Sequence, residues 1–339
     1  MANAGNAVIY LEQGQALVDY TAMTDSGNLQ TFNFDDDVLS GKGGFAPSIR
    51  PNGIVSGRNL VSPGAAADTV SVLAFTAYSQ GVLHSVDANA ALAIVRPATD
   101  VARVISITMT SAGALAAVNG TDGSGSTFVE TRGAAGGPPY ILADSVEIAQ
   151  VRVNTADEAV VAASEIFQIV GQHSERSDFP VFSISNVGMG QAASTGAEET
   201  AHVKFASALP ASHTDDKSKK VYARYFTPIF GEMARTLDFT PAETSHSVSS
   251  TQYYNGTIGS KSSTLGQGGF TALLDNGVVD GLVADKDETL TVKFLPNRDN
   301  TPYILTQGTI GISRTFPVAD QIQADVTITA ETPSAEFAG

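Results

Sequence analysis

Two groups of carboxylates are the residues of this sequence that could most readily bind a metal ion. The first is the run Asp35-Asp36-Asp37. The second gathers five acids in one short stretch: Asp275, Asp280, Asp285, Asp287 and Glu288. Ca²⁺ takes about six to eight oxygen ligands, so dense carboxylates are suitable material for a site. Neither group has the D-x-[DN]-x-[DN]-G spacing of a calcium loop. Solvated acidic turns are therefore the favoured interpretation, and we predict no metal ligand.

Signatures of catalysis are sparse. None of the five histidines forms an HExxH pair or any other i, i+4 pair, and there is no cysteine. No G-x-S-x-G nucleophile elbow occurs either. The segment Gly188-Met189-Gly190-Gln191-Ala192-Ala193 has the glycine spacing of a dinucleotide-binding loop, but no apolar-faced helix follows it, as that loop requires. We therefore predict a protein that is not an enzyme, has no catalytic residue and holds no cofactor.

The composition favours a β protein. Only 16% of the residues are charged, against about 25% in average domains, and the other polar residues are those of strands and turns. The formal net charge of −16 argues against a basic nucleic-acid-binding surface and against binding to anionic membranes. No stretch reaches the ~20 apolar residues of a membrane span, and the N-terminus lacks a basic signal-peptide region. We expect a chain that is made in the cytoplasm.

Strand and turn signals divide the chain into three parts. Residues 1–65 are predicted to form N-terminal strands and an extended arm rich in glycine and proline, a feature that usually contacts another molecule. Residues 66–170 are predicted to form a small β-sandwich accessory domain. Its expected strands are 69–77, 91–95, 104–109, 128–131, 146–153 and 166–169. A polar connection near Gly171 leads to the third part, residues 171–339.

The third part has the clearest periodicity. Phe270–Val283 carries apolar residues at helical spacing and is predicted as the one packed helix. Thr289–Leu295 and Asp320–Ala330 alternate apolar and polar residues with a period of two, which predicts half-buried strands. The polar side of the terminal strand lacks the lysines and prolines that protect a sheet edge. This strand is therefore suited to pairing with another chain.

The order and spacing of these elements resemble the C-terminal half of the major tail tube protein of long-tailed bacteriophages. The matching stretch, about Gly268 to Gly339, runs through the helix, an acidic turn, a strand, a Pro-Asn-Arg-Asp-Asn turn and a second strand. That second strand ends in Gly308-Thr309-Ile310-Gly311-Ile312-Ser313, and the terminal strand follows it. The resemblance implies a tail-tube-like β-sandwich or barrel with one packed helix, to which the accessory sandwich is added.

The resemblance also implies a function. In that family six subunits form a ring, their sheets join into an inner barrel, and the rings stack into a tube that conducts double-stranded DNA. The chain would then be a structural virion protein of the phage tail that contacts copies of itself, other tail proteins and passing DNA, without a membrane. An acidic wall would repel phosphates and let DNA slide. The candidate subunit-seam strand comprises Ile322, Gln323, Ala324, Asp325, Val326, Thr327 and Ile328. The candidate inter-ring arm comprises Asp35, Asp36, Asp37, Phe45 and Arg50.

Two other functions remain open from the sequence. The first is a distal tail, baseplate or adhesin protein whose residues 66–170 bind a host-surface glycan or protein. The chain has no tryptophan to stack on a sugar, although Tyr78 and Tyr140 could replace it. The second is an acidic glycosidase, which would need two carboxylates about 5–10 Å apart in a cleft. No sequence pattern reveals such a pair.

Overall fold

The protein was examined as a computed structural model, which describes residues 4–57, 59–168, 181–189, 200–209, 221–254 and 256–338. Within these residues strands are by far the commonest regular structure and helix is almost absent, which confirms the mainly β class. The only helical elements described are α1 (Gly281–Ala284) and two 3-10 turns, Ala4–Asn6 and Ala163–Glu165. No described helix is long and apolar enough to cross a membrane.

The described part of the chain contains twenty-five strands. In chain order they are β1 (Val8–Ala22), β2 (Thr24–Asp25), β3 (Thr31–Asn33), β4 (Ser48–Pro51), β5 (Gly53–Ser56), β6 (Val61–Pro63), β7 (Thr69–Val72), β8 (Phe75–Ser79), β9 (Val82–Val86), β10 (Asn89–Ala93), β11 (Arg103–Met109), β12 (Leu115–Asn119), β13 (Val146–Val153), β14 (Ile166–Gln168), β15 (Phe182–Ser185), β16 (His202–Phe205), β17 (Val221–Met233), β18 (Thr236–Thr240), β19 (Thr244–Tyr253), β20 (Gly256–Leu265), β21 (Gly268–Leu274), β22 (Thr289–Leu295), β23 (Tyr303–Thr315), β24 (Ile322–Ala330) and β25 (Ala335–Phe337). Every pairing between them is antiparallel.

The largest sheet, here called the main sheet, joins strands from both ends of the chain. Its order is β18-β21-β24-β23-β22-β1-β17-β4, and β25 also pairs with β23. Only Ala234 and Arg235 separate β17 from β18, yet these strands lie near opposite ends of the order and do not pair. The sheet therefore curls back on itself without closing. Phe239 of β18 stacks on Phe294 of β22 across the interior, with ring centroids 4.4 Å apart.

Alternating apolar residues fill the inside of this curl. In β24, Ala324, Val326 and Ile328 are buried while the residues between them are exposed, as a period of two requires. Leu282 of α1 closes one side of the same core. The buried members of this core are Ile9, Leu11, Phe270, Ala272, Leu274, Leu282, Leu290, Val292, Ile310, Ala324, Val326 and Ile328.

A four-stranded sheet in the order β15-β16-β3-β2 packs against the C-terminal part of β1 and the N-terminal part of β17. Aromatic rings dominate this second core, with Phe32 and Phe182 each edge-on to Phe205 at 5.6 Å between centroids. The segment between β3 and β4 crosses the main sheet here. Ser40 of that segment donates its hydroxyl to the buried Glu12 carboxylate at 2.5 Å. This contact fastens the segment to β1.

The accessory domain is a β-sandwich with one core of its own. Its sheets have the orders β10-β7-β6, β12-β11-β13-β14 and β5-β8-β9. The core already includes Ile54, Leu60 and Val61, so the domain starts upstream of the predicted boundary at residue 66. At its C-terminal end the accessory domain is described as far as residue 168. The connection predicted near Gly171 lies outside the described residues.

Two polar clusters join the accessory domain to the main sheet. The Asp144 carboxylate of the accessory domain accepts hydrogen bonds from Tyr222 Oη of β17 at 2.8 Å and from Asn52 Nδ2 at 3.0 Å. Beside it, the Arg50 guanidinium lies over the rings of Tyr20 and Tyr78, 4.6 and 4.8 Å from their centroids. These contacts order the two parts relative to each other.

The prediction of a helix over Phe270–Val283 was wrong. Its first half is the strand β21, in which Phe270, Ala272 and Leu274 are buried at a period of two. Gly277 then adopts φ +75°, a left-handed conformation that ends regular structure. Only Gly281–Ala284 is helical. The apolar residues at i, i+4 spacing also satisfied a period of two, and pairing with β24 decided between the two patterns.

The strand predicted at residues 128–131 is not formed either. Residues 120–145 contain no strand and lie over the outer face of the β11–β13 sheet. The buried Glu147 of that sheet accepts hydrogen bonds from Arg132 Nη2 at 2.6 Å and from Ser106 Oγ at 2.5 Å. The six glycines in this stretch allow its backbone to lie close to neighbouring backbone in conformations other than a strand.

Candidate assembly surfaces

The long hairpin β19–β20 extends away from the rest of the protein. Its ten residue pairs, Thr244↔Leu265 through Tyr253↔Gly256, form a two-stranded sheet with no third strand. At about 3.3 Å per residue it reaches about 33 Å beyond β18 and β21, which it connects. Tyr254 at its tip is completely exposed.

Among the side chains that the structure describes, the hairpin presents no apolar face to its own subunit. One face carries a ladder of hydroxyl groups, in which Ser247 and Ser249 contact Ser262 and Ser260 at 2.7 Å between oxygens. On the other face Val248 is 74% exposed. A two-stranded hairpin without such packing is only marginally stable in water.

The main sheet also offers an unpaired edge at each end of its strand order. Among the described strands, β18 pairs on one side only, with β21, and β4 pairs on one side only, with β17. Residues 227–233 of β17 extend past β4 and pair only with β1. These edges belong to different strands at opposite ends of the sheet. An edge of one copy could therefore pair with the other edge of the next copy, which is a head-to-tail contact.

The predicted seam strand does not lie at either edge. Ile322–Ile328 pair with β21 on one side and with β23 on the other. Both sets of backbone hydrogen bonds are used inside the subunit, so this strand has no free edge for another chain. Its alternation indicated a half-buried strand correctly, but a period of two does not reveal whether a strand is central or peripheral.

The outward face of the seam strand is polar and almost uncharged. Thr271, Asp325 and Ser313 form one row across β21, β24 and β23, and Thr289, Thr309 and Thr329 form another across β22, β23 and β24. Asp325 is the one carboxylate in these rows, and it accepts a hydrogen bond from the Thr271 hydroxyl at 3.1 Å. If this face lined a channel, the wall would present hydroxyl groups and one acid per copy.

The residues predicted as an inter-ring arm contact their own subunit instead. Asp36 and Asp37 accept hydrogen bonds from Tyr225 and Tyr303, each at 2.7 Å. Phe45 packs edge-on against Phe226 with centroids 5.0 Å apart. Asp35 adds its negative charge to the surroundings of Tyr225. Arg50 lies over the rings of Tyr20 and Tyr78, in one of the two polar clusters that join the accessory domain to the main sheet. The arm is therefore folded onto the main sheet.

The second acidic group also serves the fold. The exposed Asp280 carboxylate accepts hydrogen bonds from the backbone N–H groups of Asp275, Asn276 and Gly277, which lower its pKa. Asp275 itself pairs with Arg235 at 2.8 Å. Among the described residues no group of histidines and carboxylates is arranged to hold a metal ion.

A small pocket between the arm and the main sheet brings unlike groups together; we call it the lysine pocket. It holds about 210 Å³ and is lined by Asp36, Asp37, Val38, Thr227, Pro228, Phe230, Lys293, Tyr303 and Leu305. The Lys293 ammonium lies 3.9 Å from the Tyr303 ring centroid and 5.9 Å from that of Phe230. Burial lowers the pKa of Lys293, and the charge of Asp37 opposes that shift.

Sequence reasoning missed the hairpin and the lysine pocket. A run of serine and threonine has no hydrophobic alternation, so the strand pattern gave no signal for β20. The Asn255-Gly256 pair was a usable signal, since Asn-Gly favours a hairpin turn. The pocket joins residues more than 250 positions apart, and no local pattern reveals such a site. Of the glycine-spaced segment 188–193, which was not predicted to bind a dinucleotide, only residues 188 and 189 lie within the described residues.

Comparisons with known proteins give no family for this chain. No protein-family model matches it, and no curated protein is significantly similar to it in sequence.

Proposed function

We propose that this chain is a structural subunit that associates with its own copies into rings, and that the rings stack into a tube. One observation carries the proposal: a single copy leaves a hairpin of about 33 Å unsupported and two different sheet edges unpaired. Head-to-tail pairing of two different edges closes a ring when the rotation between copies allows it. The hairpin continues from the edge strand β18 and extends beyond the sheet, where it contacts the next ring.

The resemblance to phage tail tube proteins gives this assembly a purpose. The tube would belong to the tail of a virion, would contact other tail proteins, and would conduct double-stranded DNA during ejection. The net charge of −16 supports free passage, because negative protein surfaces repel phosphates. The polar face of β21, β23 and β24 is a suitable lining, since it offers no cation and no apolar patch to a passing strand.

Electron microscopy of the purified protein tests the proposal. We expect six-fold rings or hollow tubes in negative stain, and particles far heavier than 35.0 kDa in light scattering. Replacing residues 244–265 by a short Gly/Ser turn should leave single rings or monomers, with a far-ultraviolet circular dichroism spectrum that loses only the contribution of the hairpin strands. The matched control is Val318→Ser, which removes another fully exposed apolar side chain outside the hairpin. A parent protein that stays monomeric at high concentration would contradict the proposal.

A second candidate function rests on the accessory domain. Residues 120–145 form a long surface loop, and loops of this length are often binding loops. Tyr140 and Leu142 are exposed on it, 41% and 75% respectively, while Tyr78 is covered by Arg50. The domain would then recognise a host-surface glycan or protein, as a distal tail or adhesin protein does. Binding of the isolated parent protein to host cells, lost in Tyr140→Ala, would favour this function.

A further inference from the structure

The lysine pocket contains a cation whose hydrogen-bonding capacity is unused. An ammonium group has three N–H donors. Within the described residues, Lys293 Nζ makes no hydrogen bond and no ion pair, and only the rings of Tyr303 and Phe230 lie against it. Half-burial has removed part of its water, so an oxygen atom that entered the pocket would gain a charge-assisted hydrogen bond.

The opposite wall of the pocket, formed by two carboxylates, can accept further hydrogen bonds. The carboxylates of Asp36 and Asp37 each accept one tyrosine hydroxyl from their own chain. An ionised carboxylate has about four lone-pair sites, so each retains capacity for another donor. Pro228 and Phe230 add an apolar wall. A matching group must therefore have a flat apolar body and one oxygen that both accepts from Lys293 and donates to a carboxylate. A phenol has these properties.

The chain itself carries such a group where it has no partner. Tyr254, at the tip of the hairpin, is the most exposed tyrosine in the described part of the chain, and Tyr140 is 41% exposed. A fully exposed aromatic ring on an extended arm has most of its surface left to bury, and aromatic residues dominate the energetics of protein interfaces. The local surroundings of Tyr225 and Tyr303 show that tyrosine hydroxyls already pair with these same carboxylates.

We propose that Tyr254 of one copy enters the lysine pocket of a second copy, with its ring against Pro228 and Phe230 and its hydroxyl between Lys293 and the Asp36–Asp37 carboxylates. This inference rests on the proposed self-assembly and names the contact that connects two copies. The partner is therefore a second copy of this chain, recognised by one phenol side chain.

Disulfide trapping between single-cysteine variants tests the contact, because the parent chain has no cysteine. Asn255→Cys, which leaves the neighbouring Tyr254 side chain in place, and Thr227→Cys are purified separately, mixed, and oxidised under assembly conditions. Thr227 lines the pocket, and a disulfide forms only when the two Cα atoms lie within about 7 Å. We expect a covalent dimer in the mixture but not in either variant alone. Tyr140→Cys mixed with Thr227→Cys is the control and should stay monomeric on a denaturing gel.

Substitutions that remove the hydroxyl of Tyr254 or the charge of Lys293 provide a second measurement. Tyr254→Phe keeps the ring and removes the hydroxyl, and Lys293→Met keeps a side chain of similar length and removes the charge. Each should raise the protein concentration needed for assembly about tenfold, the effect of one hydrogen bond to a charged group. Tyr140→Phe should leave that concentration unchanged.

The outcomes separate this inference from the proposed function. Assembly of the parent protein without the mixed disulfide, together with normal assembly of Tyr254→Phe, would overturn the contact and leave self-assembly standing. A mixed disulfide involving Tyr140→Cys instead would place the accessory domain in the pocket and also overturn it. A parent protein that never assembles would overturn both.

Discussion

Substitution of the buried Glu12 should destabilise the main sheet in a graded way. Its side chain is 1% exposed and accepts three hydrogen bonds, from Ser40 Oγ at 2.5 Å, Gln15 Nε2 at 2.9 Å and the Thr291 backbone N–H at 3.0 Å. These donors belong to β1, to the segment that follows β3, and to β22. One carboxylate therefore connects three parts of the chain that are distant in sequence.

The magnitude follows from what each substitution leaves behind. Glu12→Ala removes both acceptor oxygens and with them all three hydrogen bonds, and it leaves the buried Thr291 N–H without this acceptor. A buried donor without an acceptor costs about 1–3 kcal/mol of unfolding free energy, so the loss of three such bonds should cost about 3–5 kcal/mol. Glu12→Gln keeps the shape and one acceptor oxygen, so about 1–3 kcal/mol should be lost. Gln13→Ala, at the exposed neighbouring position, should change stability by less than about 0.5 kcal/mol.

Urea unfolding followed by far-ultraviolet circular dichroism measures these differences, with the midpoint and slope fitted separately. The expected order of stability is parent, then Glu12→Gln, then Glu12→Ala. Two results would refute the reasoning: a Glu12→Ala protein as stable as Gln13→Ala, or a Glu12→Gln protein as unstable as Glu12→Ala. The first would mean that the carboxylate contributes nothing net, and the second that its hydrogen-bonding shape is irrelevant.

Three further predictions test the sheet, the channel and the tyrosine–aspartate pairs. Val326→Asp should unfold the main sheet because it buries an unpaired carboxylate at a site only 3% exposed, whereas Thr327→Asp on the outward face should fold normally; equal circular dichroism spectra would contradict this. Asp325→Lys should leave rings intact in electron microscopy but retain DNA at low salt, while Asp325→Asn should not; DNA release that is equal in both would remove this face from the channel. Burial, and then hydrogen bonding to an aspartate, raise the pKa values of Tyr222, Tyr225 and Tyr303 above the ordinary value. Since the unfolded chain ionises these groups at a lower pH than the folded one, their contribution to stability should be constant below about pH 10 and be lost as the pH rises above it. Urea titrations across that range should show a smaller fall for Tyr303→Phe, and an identical fall would count against the pair.

The strands with hydrophobic alternation were predictable, and the way they assemble was not. Thr289–Leu295 forms β22, and the alternating stretch Asp320–Ala330 contains β24, because one buried face is enough to produce a period of two. Phe270–Val283 was misassigned since its spacing satisfied both periods, and only the contact with β24 decided between them. The candidate seam was misplaced for a related reason: local sequence records which face of a strand is buried, whereas its neighbours in the sheet come from distant parts of the chain.

The position of β1 between β22 and β17 in the main sheet has a consequence for synthesis. Its partners β17 and β22 end at Met233 and Leu295, so an apolar N-terminal strand leaves the ribosome long before either of them exists. At about 5–20 residues per second, β1 waits roughly 15–60 s for β22. The accessory domain has its own core within residues 54–161 and can fold during that interval. Native-like folding of β1 is therefore expected to be among the last steps, which delays completion of the sheet edges until nearly the whole chain has been made.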